Sequence, residues 1–426
     1  MYRQSGRPLD PVGRSIGHAP VRRFPNQTLP EPDFIPVSDE FTGPNGRSFV
    51  AHRETSMEQA ERGVFELRRG KFLHLSGDNG DYLAASVEGL SEDTLEQIRR
   101  LSDGAWRLVL TSHRARSQGL DVPDDAVGIG LSIPSTATIN SLTRLALEPA
   151  AAFDNASPDL LAMRSGDAAA LALVRSSLLV PAVLTVKLVE RDQVAVQAMV
   201  ADGRLLSVPV VEARRLSSNP DPRLSMVSEA SIPLEGSGET RFVLFREGSG
   251  LLEHVAVLIG DPADWPDPVP LRLHSACLTG DLFGSLRCDC GDQLRSGVAM
   301  IAEAGGGLLL YLAQEGRGIG LANKLRAYTM QDVGLDTMDA DGCLGFGQDE
   351  RRYEAAVQML THLGVERVSV LTNNPDKLDA LNAGGIRVSD RRALHGTLND
   401  HNIRYLTAKS ERAGHLLDAV LSQSKG

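Results

Sequence analysis

The C-terminal half of the chain takes its fold from residues 269–325, which read VPLRLHSACLTGDLFGSLRCDCGDQLRSGVAMIAEAGGGLLLYLAQEGRGIGLANKL. The apolar runs at 269–274 and 308–312 have the length and composition of buried strands. A polar, glycine-containing loop follows each run, and helical patterns come next, at 293–304 and 321–332. This alternation predicts an α/β layer structure.

The alternation continues on both sides of that stretch. Three more strands and one more helix are predicted at 242–245, 255–259, 368–371 and 353–363. Helical and strand patterns also alternate between residues 56 and 216, where Ser91 opens a helix. The whole pattern is typical of the α/β class, with α+β mixed sheets.

Composition divides the chain into four parts. Residues 1–45 hold eight of the 22 prolines and show no apolar periodicity, which predicts a flexible tail. Residues 217–240 are rich in Ser, Pro and Gly, as domain boundaries are. We therefore expect two folded domains, at 46–216 and 231–426, joined by a linker at 217–230.

Charge and hydropathy exclude two classes of protein. Lys and Arg number 44 against 55 Asp and Glu, a net charge of −11 that repels nucleic acid. No run approaches the roughly 18 apolar residues of a membrane span, so we expect no membrane partner. Four cysteines in 426 residues are too few for a disulfide framework and indicate a reducing compartment, the cytoplasm.

Three of those cysteines, Cys277, Cys288 and Cys290, follow a C-x10-C-x-C spacing. Soft thiolates at such spacing favour zinc, and three protein ligands leave the open position of a catalytic site. Two structural alternatives stay open: three inert buried cysteines, or a four-cysteine site completed by Cys343. His274 could also ligate, although a histidine at a strand end is more often simply packed.

The segment QEGRGIG, residues 314–320, places three glycines and Arg317 between a strand and a helix. Backbone amides of such a loop suit a phosphate, with Arg317 as a forked partner. Lys324 and Arg326 on the next helix add positive charge, as a triphosphate pocket in an acidic protein needs. Glycine turns also serve purely geometric ends, and the two cations fit a solvated helix face equally.

Two later motifs also carry polar side chains. In GFGQDERRY, residues 345–353, spacing alone favours Asp349 as a helix N-cap, although it could accept a proton and Arg351 could meet a phosphate. In LTNNPDK, residues 371–377, Thr372 and Lys377 follow a strand, where α/β sheets bind ligands. The structural alternative for the second motif is a plain Asn-Pro turn.

In this order, the motifs resemble those of GTP cyclohydrolase II, the first enzyme of riboflavin biosynthesis, over roughly residues 231–418. The resemblance implies one zinc per chain on the three cysteines, where the imidazole ring of GTP is opened and formate released. It implies Mg²⁺ with the triphosphate, and we expect a homodimer. Residues at three catalytic positions match: Asp349 as proton acceptor, Arg351 as nucleophile on phosphorus while pyrophosphate leaves, and Tyr328 at the hydrolytic centre.

The resemblance also implies a nucleotide-binding set. It comprises Arg272, Leu273, His274, Ser275, Ala276, Gln293, Glu315, Gly316, Arg317, Thr337, Thr372 and Lys377. One departure lies within it, because Ala276 replaces the glutamate of the usual HSEC motif. Asp341 also replaces a common asparagine. Neither change touches a zinc ligand or the Asp349–Arg351 pair.

The first domain resembles, more faintly, 3,4-dihydroxy-2-butanone 4-phosphate synthase. The similarity lies in ELRRGKFLHL at 66–75, in the run from 90 to 120, and in RSGDAAALALVRSSLLVPAVLTVKL at 164–188. The synthase's acidic loop reads GDNGD here, at 77–81, and its GHTEA motif has become GDAAA at 166–170. Without that histidine and those glutamates the metal site cannot be assembled, so we predict a catalytically inactive domain.

Two other functions are alternatives to an active GTP cyclohydrolase II. One is a paralogue that acts on a related purine nucleotide or in another pathway, with Ala276 as its signature. The other is a non-catalytic zinc protein that binds nucleotide as a regulator. Asp349 and Arg351 argue against the second. A nucleic-acid-binding zinc module is disfavoured by the acidic charge balance and the 4% aromatic content.

Overall fold

The computed structural model describes residues 39–42, 48–51, 56–148, 159–218, 221–394, 396–399, 402–403 and 407. The chain divides into two compact units, Met1–Glu54 and Thr55–Gly426. In the first unit, strands β1 (Asp39–Thr42) and β2 (Ser48–Ala51) pair antiparallel. The rest of the predicted tail at 1–45 lies outside the described residues.

The second unit contains two seven-stranded sheets. We call described residues 56–218 the N-terminal lobe. Its strands are β3 (Leu73–Ser76), β4 (Tyr82–Ser86), β5 (Trp106–Thr111), β6 (Gly128–Ser132), β7 (Leu160–Leu161), β8 (Ala182–Lys187) and β9 (Ser207–Pro209), in the order β7-β6-β5-β8-β4-β3-β9. Its helices are α1 (Ser56–Arg68), α2 (Glu92–Leu101), α3 (Ser112–Ser117), α4 (Ile139–Leu147), α5 (Ser165–Ser176), α6 (Glu190–Ala201) and α7 (Val210–Ser218).

The N-terminal sheet is covered on both faces. Along β5, Leu108 and Leu110 belong to one buried cluster, whereas Val109 belongs to another on the opposite face. This alternation follows from the two-residue period of a strand. Ser91 caps α2 as expected, since its hydroxyl accepts a hydrogen bond from the Thr94 amide at 3.1 Å.

We call described residues 221–407 the C-terminal lobe. Its strands are β10 (Ser225–Ser231), β11 (Thr240–Arg246), β12 (Glu253–Ile259), β13 (Val269–Ser275), β14 (Gly307–Leu312), β15 (Arg367–Leu371) and β16 (Arg387–Arg392), in the order β10-β11-β12-β14-β13-β15-β16. Its helices are α8 (Leu278–Asp281), α9 (Cys290–Glu303), α10 (Leu321–Asp332), α11 (Thr337–Cys343), α12 (Glu354–His362) and α13 (Pro375–Ala383).

Neighbouring strands in the run β14-β13-β15-β16 are parallel. Neighbouring strands in the run β10-β11-β12-β14, on the other side of β14, are antiparallel. The α/β class with mixed sheets is thereby confirmed. Residues 225–230, which composition assigns to the linker, form most of β10. Its side chains are exposed along the whole strand, so no apolar periodicity marks it in the sequence.

The parallel strands position the candidate site. The carboxyl ends of β13, β14 and β15 lie at one edge, where the loops that follow them meet. On β13, Leu271 and Leu273 enter the main core of the lobe. Arg272 and His274 alternate with them and therefore lie on the other face, buried although polar. A strand with leucines on one face and buried polar side chains on the other is typical of the base of a binding site.

Among the described residues, no helix has the length and apolar character that crossing a bilayer requires.

Candidate active site

The three cysteines of the C-x10-C-x-C motif come together after β13. Cys277 follows the strand, Cys290 begins α9, and Cys288 lies in the loop between α8 and α9. Their sulfurs lie within 4.8 Å of one another, and those of Cys277 and Cys288 are 3.6 Å apart. In the described part of the chain, this is the one group of three or more His, Cys, Asp or Glu donors that could hold an ion.

Gly280 makes the convergence possible. A Cβ at this position would lie 2.7 Å from the Cys288 sulfur and 3.1 Å from the Cys277 sulfur. No side chain fits there, because real Cβ contacts are essentially never shorter than 3.0 Å. Three thiols gathered over a bare backbone are the donor set that zinc prefers, so the residues present fit that metal.

The thiols share their protons unequally. The pKa of Cys277 is well below its usual range, because the thiols of Cys288 and Cys290 donate hydrogen bonds to its sulfur and the Lys324 ammonium lies 3.0 Å away. The hydrogen bond to Cys277 raises the pKa of Cys288 in turn. The lowered pKa favours the thiolate form of Cys277, which is the form that binds metals.

Asp281 holds Cys277 in place. Its carboxylate accepts hydrogen bonds from the Cys277 amide and the Tyr311 hydroxyl, both at 2.9 Å. The His274 Nε2 atom lies 3.1 Å from both carboxylate oxygens, and the His274 ring stacks on Tyr311. Burial lowers the pKa of His274. His274 thus orients the cysteine loop through Asp281 and lies outside the thiol group.

Cys343 also lies outside that group. It ends α11 and packs with Ile319, Ala327 and Phe346 in a small apolar cluster. The four-cysteine alternative therefore has no geometric support among the described residues.

Lys324 connects the cysteine loop to the QEGRGIG segment. Its ammonium donates to Glu315 at 2.8 Å and to Thr279 at 3.0 Å, as well as to Cys277. Burial opposes its charge, but the Glu315 hydrogen bond and the Cys277 charge raise its pKa overall. Glu315 also accepts from the Leu278 amide at 2.6 Å. The pair fixes the first turn of α8 against α10.

Tyr328, one turn after Lys324 on α10, faces the same cavity as the cysteines. Its ring centroid lies 5.7 Å from the Lys324 ammonium. Burial raises the pKa of Tyr328 to about 12. The phenol is therefore protonated at neutral pH and can donate a hydrogen bond to a bound ligand.

Two buried cations also line the cavity. The Arg272 guanidinium donates to the Leu371 carbonyl and to Gln293, both at 2.8 Å, and the Lys377 ammonium donates to the Leu273 carbonyl at 2.7 Å. Burial lowers the pKa of Arg272 to about 10, which still leaves it charged at neutral pH. Both side chains line the cavity and make it attractive to an anion.

The QEGRGIG loop is tighter than expected. Gly316, Arg317 and Gly318 have φ of 63°, 60° and 91°, and the left-handed conformation of Arg317 costs about 1 kcal/mol or more. The amides of Gly316, Gly318 and Gly320 donate to Glu315 or Gln314 within the loop. These three amides are therefore not available to a phosphate, and Arg317 is the cationic side chain that the loop places at the cavity.

Arg317 lies beside Asp341, the residue that replaces a common asparagine of the family pattern. Its Nη1 atom lies 3.6 Å from the Asp341 carboxylate, which is buried. Burial raises the pKa of Asp341 to about 7, against the opposing charge of Arg317.

Asp349 and Arg351 form a forked ion pair. The Arg351 Nε atom lies 2.9 and 3.0 Å from the two carboxylate oxygens, and the Arg351 amide also donates to Asp349, at 3.0 Å. Burial opposes the charge of Asp349, but the hydrogen bonds from Arg351 lower its pKa overall. The capping interpretation is wrong, because α12 begins at Glu354 with Tyr353 in the N-cap position.

Most of the nucleotide set implied by the resemblance lines the cavity. The lining members are Arg272, His274, Ser275, Ala276, Gln293, Glu315, Gly316, Arg317, Thr372 and Lys377, together with the three cysteines, Tyr328 and Arg351. Leu273 instead packs into the core and contributes its carbonyl to Lys377. Thr337 begins α11, and its side chain lies outside the described part of the structure.

Sequence reasoning missed several lining residues. Asn373 and Asn374 follow β15, and the Asn374 side-chain amide nitrogen is buried without a hydrogen-bond partner. The Asn-Pro turn is real as well, since Asn374 caps α13 by accepting from the Asp376 amide. Tyr311, which binds Asp281, could have been noticed as the one polar side chain in the strand GLLLYL.

The fold and site define an α/β protein with a candidate three-thiol metal centre beside an anion-attracting cavity. The sequence profile of GTP cyclohydrolase II matches residues 225–393. The GTP cyclohydrolase-2 of Xylella fastidiosa (strain 9a5c) is 39% identical over 368 residues, which are 85% of this chain and 88% of the relative. The chain belongs to the GTP cyclohydrolase II family.

Two further similarities cover different shares of the chain. The GTP cyclohydrolase-2 of Pseudomonas paraeruginosa (strain DSM 24068 / PA7) is 50% identical over 194 residues, 46% of this chain and 94% of the relative. A solved structure, a two-domain 3,4-dihydroxy-2-butanone 4-phosphate synthase from A. baumannii, covers 79% of this chain and 99% of its own at 14% identity. Its TM-score is 0.32, too low to support any statement about the N-terminal lobe.

Gly280→Ala should disrupt the thiol cluster, because its methyl group would displace at least one sulfur. When both proteins are supplied with Zn²⁺ and then dialysed, we expect the variant to retain less than about half as much metal as the wild type. Far-UV circular dichroism should be unchanged. The matched control is Gly342→Ala, where a Cβ meets nothing within 4 Å. Full zinc in Gly280→Ala, or equal loss in both variants, would contradict the role given to Gly280.

Proposed function

We propose that the chain is an active, zinc-dependent GTP cyclohydrolase II. It hydrolyses GTP to 2,5-diamino-6-(5-phosphoribosylamino)pyrimidin-4-one, formate and pyrophosphate, the first step of riboflavin biosynthesis. The observation that most supports the proposal is that the three thiols and Arg351 line one cavity, which buried cations also line. Groups suited to ring opening and to phosphate chemistry can therefore act on one bound nucleotide.

Cys277, Cys288 and Cys290 would hold the zinc, which would supply Lewis-acid activation of a water for attack on the imidazole ring. The protein's own groups prepare that end of the cavity. Asp281 and Glu315 hold the backbone of the cysteine loop through the Cys277 and Leu278 amides. Tyr328 stays protonated and can donate to the opening ring.

Asp349 and Arg351 serve the triphosphate end. Because Asp349 is ionised and contacts Arg351 directly, it can take the proton that the guanidinium must lose before it attacks phosphorus. As the Arg351 nitrogen bonds to the α-phosphorus, the phosphorus–oxygen bond to pyrophosphate would break. A water would then cleave the nitrogen–phosphorus bond and release the monophosphate product. Arg272, Arg317 and Lys377 offset phosphate charge, as would the Mg²⁺ that we propose accompanies GTP.

Ala276 supports a second candidate function. Its side chain lines the cavity beside Cys277, where the family's usual glutamate would add a carboxylate. The missing charge changes what the wall next to the base can recognise. A paralogue acting on a related purine nucleotide would share every other feature of the site.

The N-terminal lobe is proposed to have no synthase activity. At the position of the lost GHTEA motif, Asp167 is fully buried at the start of α5. Its carboxylate accepts hydrogen bonds from Arg164, Arg107 and Thr185 at 2.6–3.1 Å. This carboxylate is committed to protein partners, so it is unsuited to bind a metal.

We also propose a cytoplasmic homodimer that has no nucleic-acid partner. The four cysteines are free thiols, as the metal centre requires. An exposed apolar patch beside the cysteine loop, formed by Leu282, Phe283 and Leu286, is suited to a protein interface.

Purified protein supplied with Zn²⁺ and Mg²⁺ should release formate and pyrophosphate from GTP in equal amounts. Formate detection and a pyrophosphate assay measure both products. Parallel reactions with other purine nucleotides separate the two candidates. Faster turnover of another nucleotide would favour the paralogue, and no release from any of them would contradict both.

Cys288→Ser should lose zinc and formate release together, because two thiols remain and the hydroxyl is a poor zinc ligand. Metal analysis and formate detection on the same sample test this. Cys343→Ala is the matched control and should keep the zinc, since Cys343 packs in an apolar cluster. A Cys288→Ser protein with full zinc would remove this ligand assignment.

Arg351→Ala should reduce pyrophosphate release by at least about a hundredfold, while zinc content stays normal. Arg367→Ala is the control, because its ion pair with Asp267 is exposed and lies elsewhere. Full pyrophosphate release by Arg351→Ala would leave Arg351 without a role in the reaction.

A further inference from the structure

The two lobes meet at the two segments that carry the proposed chemistry. One is α10, which bears Lys324 and Tyr328. The other is residues 343–351, which we call the Asp349 loop. Both segments are joined to the N-terminal lobe by hydrogen bonds between residues far apart in the chain.

The start of the Asp349 loop is fixed at two carbonyls. The Thr111 hydroxyl, at the end of β5, donates to the Gly345 carbonyl at 2.7 Å. Arg114, which is 1% exposed, donates from Nη1 to the Cys343 carbonyl, also at 2.7 Å. Its other nitrogens donate to the carbonyls of Leu145 and Glu148. Because this buried guanidinium donates to the three carbonyls of Cys343, Leu145 and Glu148, it has little freedom to move.

The end of the loop is fixed by a salt bridge. Arg175, on α5, donates from Nη2 to the two carboxylate oxygens of Glu350, at 2.9 and 2.7 Å. Glu350 lies between Asp349 and Arg351 in the sequence. Its carboxylate also accepts from the Gly347 amide at 2.8 Å, and its amide donates to the Arg317 carbonyl at 3.1 Å. Arg175 thus acts on the residue that separates the two proposed reaction groups.

The helix α10 is held in the same manner. The Asn323 side-chain amide donates to the Leu178 carbonyl at 3.0 Å, and Arg326 donates to Glu88 at 2.7 Å. Glu88 accepts in addition from the Val180 amide at 2.8 Å. Asn323 and Arg326 flank Lys324 on the helix, so these bonds set the position of the ammonium that lies against Cys277.

We infer that the N-terminal lobe positions the Asp349–Arg351 pair, with Arg175 and Glu350 as the positioning residues. The inference rests on the proposed function, because it concerns the release of pyrophosphate at that pair. Neither Arg175 nor Glu350 lines the cavity that the cysteines share with Arg351. Their effect on turnover therefore passes through the loop backbone. A lobe that has lost its own metal ligands thereby contributes to catalysis in its neighbour.

The test uses the full-length chain with zinc bound. Arg175→Met keeps an unbranched side chain, although a shorter one, and removes the guanidinium that donates to Glu350. We expect kcat for pyrophosphate release to fall at least about tenfold, with KM for GTP within about threefold and zinc content unchanged. Hydrogen exchange at the Gly347 and Glu350 amides should become faster. Arg175→Lys, which keeps the charge, should recover part of both losses.

The matched control is Arg191→Met, which breaks an exposed ion pair with Asp103 in the same lobe. It should leave turnover and loop exchange at wild-type values. Wild-type kcat and wild-type loop exchange in Arg175→Met would overturn the inference. So would faster exchange spread evenly over the lobe with no excess at Gly347 and Glu350, since that indicates only general destabilisation.

Failure of the proposed function would be visible separately. If the wild type releases neither formate nor pyrophosphate, the proposed activity is wrong, and loop exchange in Arg175→Met against Arg191→Met still decides whether the lobe holds the loop.

Discussion

The convergence of three sulfurs over Gly280 is the constraint on which the rest of the site depends. It brings Cys277, Cys288 and Cys290 to one point although they come from the end of a strand, a loop and the start of a helix. The backbone must be held because no side chain fills the space beneath the sulfurs. Asp281 supplies that hold, and its other partners, Tyr311 and His274, extend it into the sheet.

Charge is arranged around that point in an acidic protein. Arg272, Lys324 and Lys377 are buried, and burying a cation is costly unless it has partners. Arg272 and Lys377 donate hydrogen bonds to backbone carbonyls, and Lys324 donates to Glu315 and Cys277. The positive charge is therefore fixed at the cavity, although the chain as a whole has a net charge of −11.

The two lobes are connected at the segments where motion would matter most. The C-terminal lobe contains the three cysteines, helix α10 with Lys324, and the Asp349 loop. Helix α10 and the Asp349 loop are nevertheless held in place by hydrogen bonds with the N-terminal lobe. This dependence gives a physical reason for keeping a lobe whose Asp167 is enclosed by Arg164, Arg107 and Thr185. It also explains why the Asp349 loop, which has no regular secondary structure at 346–351, has a defined position.

Local sequence patterns are sufficient to predict the features that depend on near neighbours in the chain. These are the strand and helix order around residues 269–325, the Ser91 cap, and the cysteine spacing that brings three thiols into one loop region. Contacts between residues far apart in the chain are seen only in the folded molecule. Asp349 turned out to bind Arg351 instead of capping α12, the amides of the QEGRGIG loop donate within the loop, and Arg175 reaches Glu350 across 175 residues. Periodicity and spacing report neighbours a few residues apart, whereas such contacts depend on how the two sheets pack.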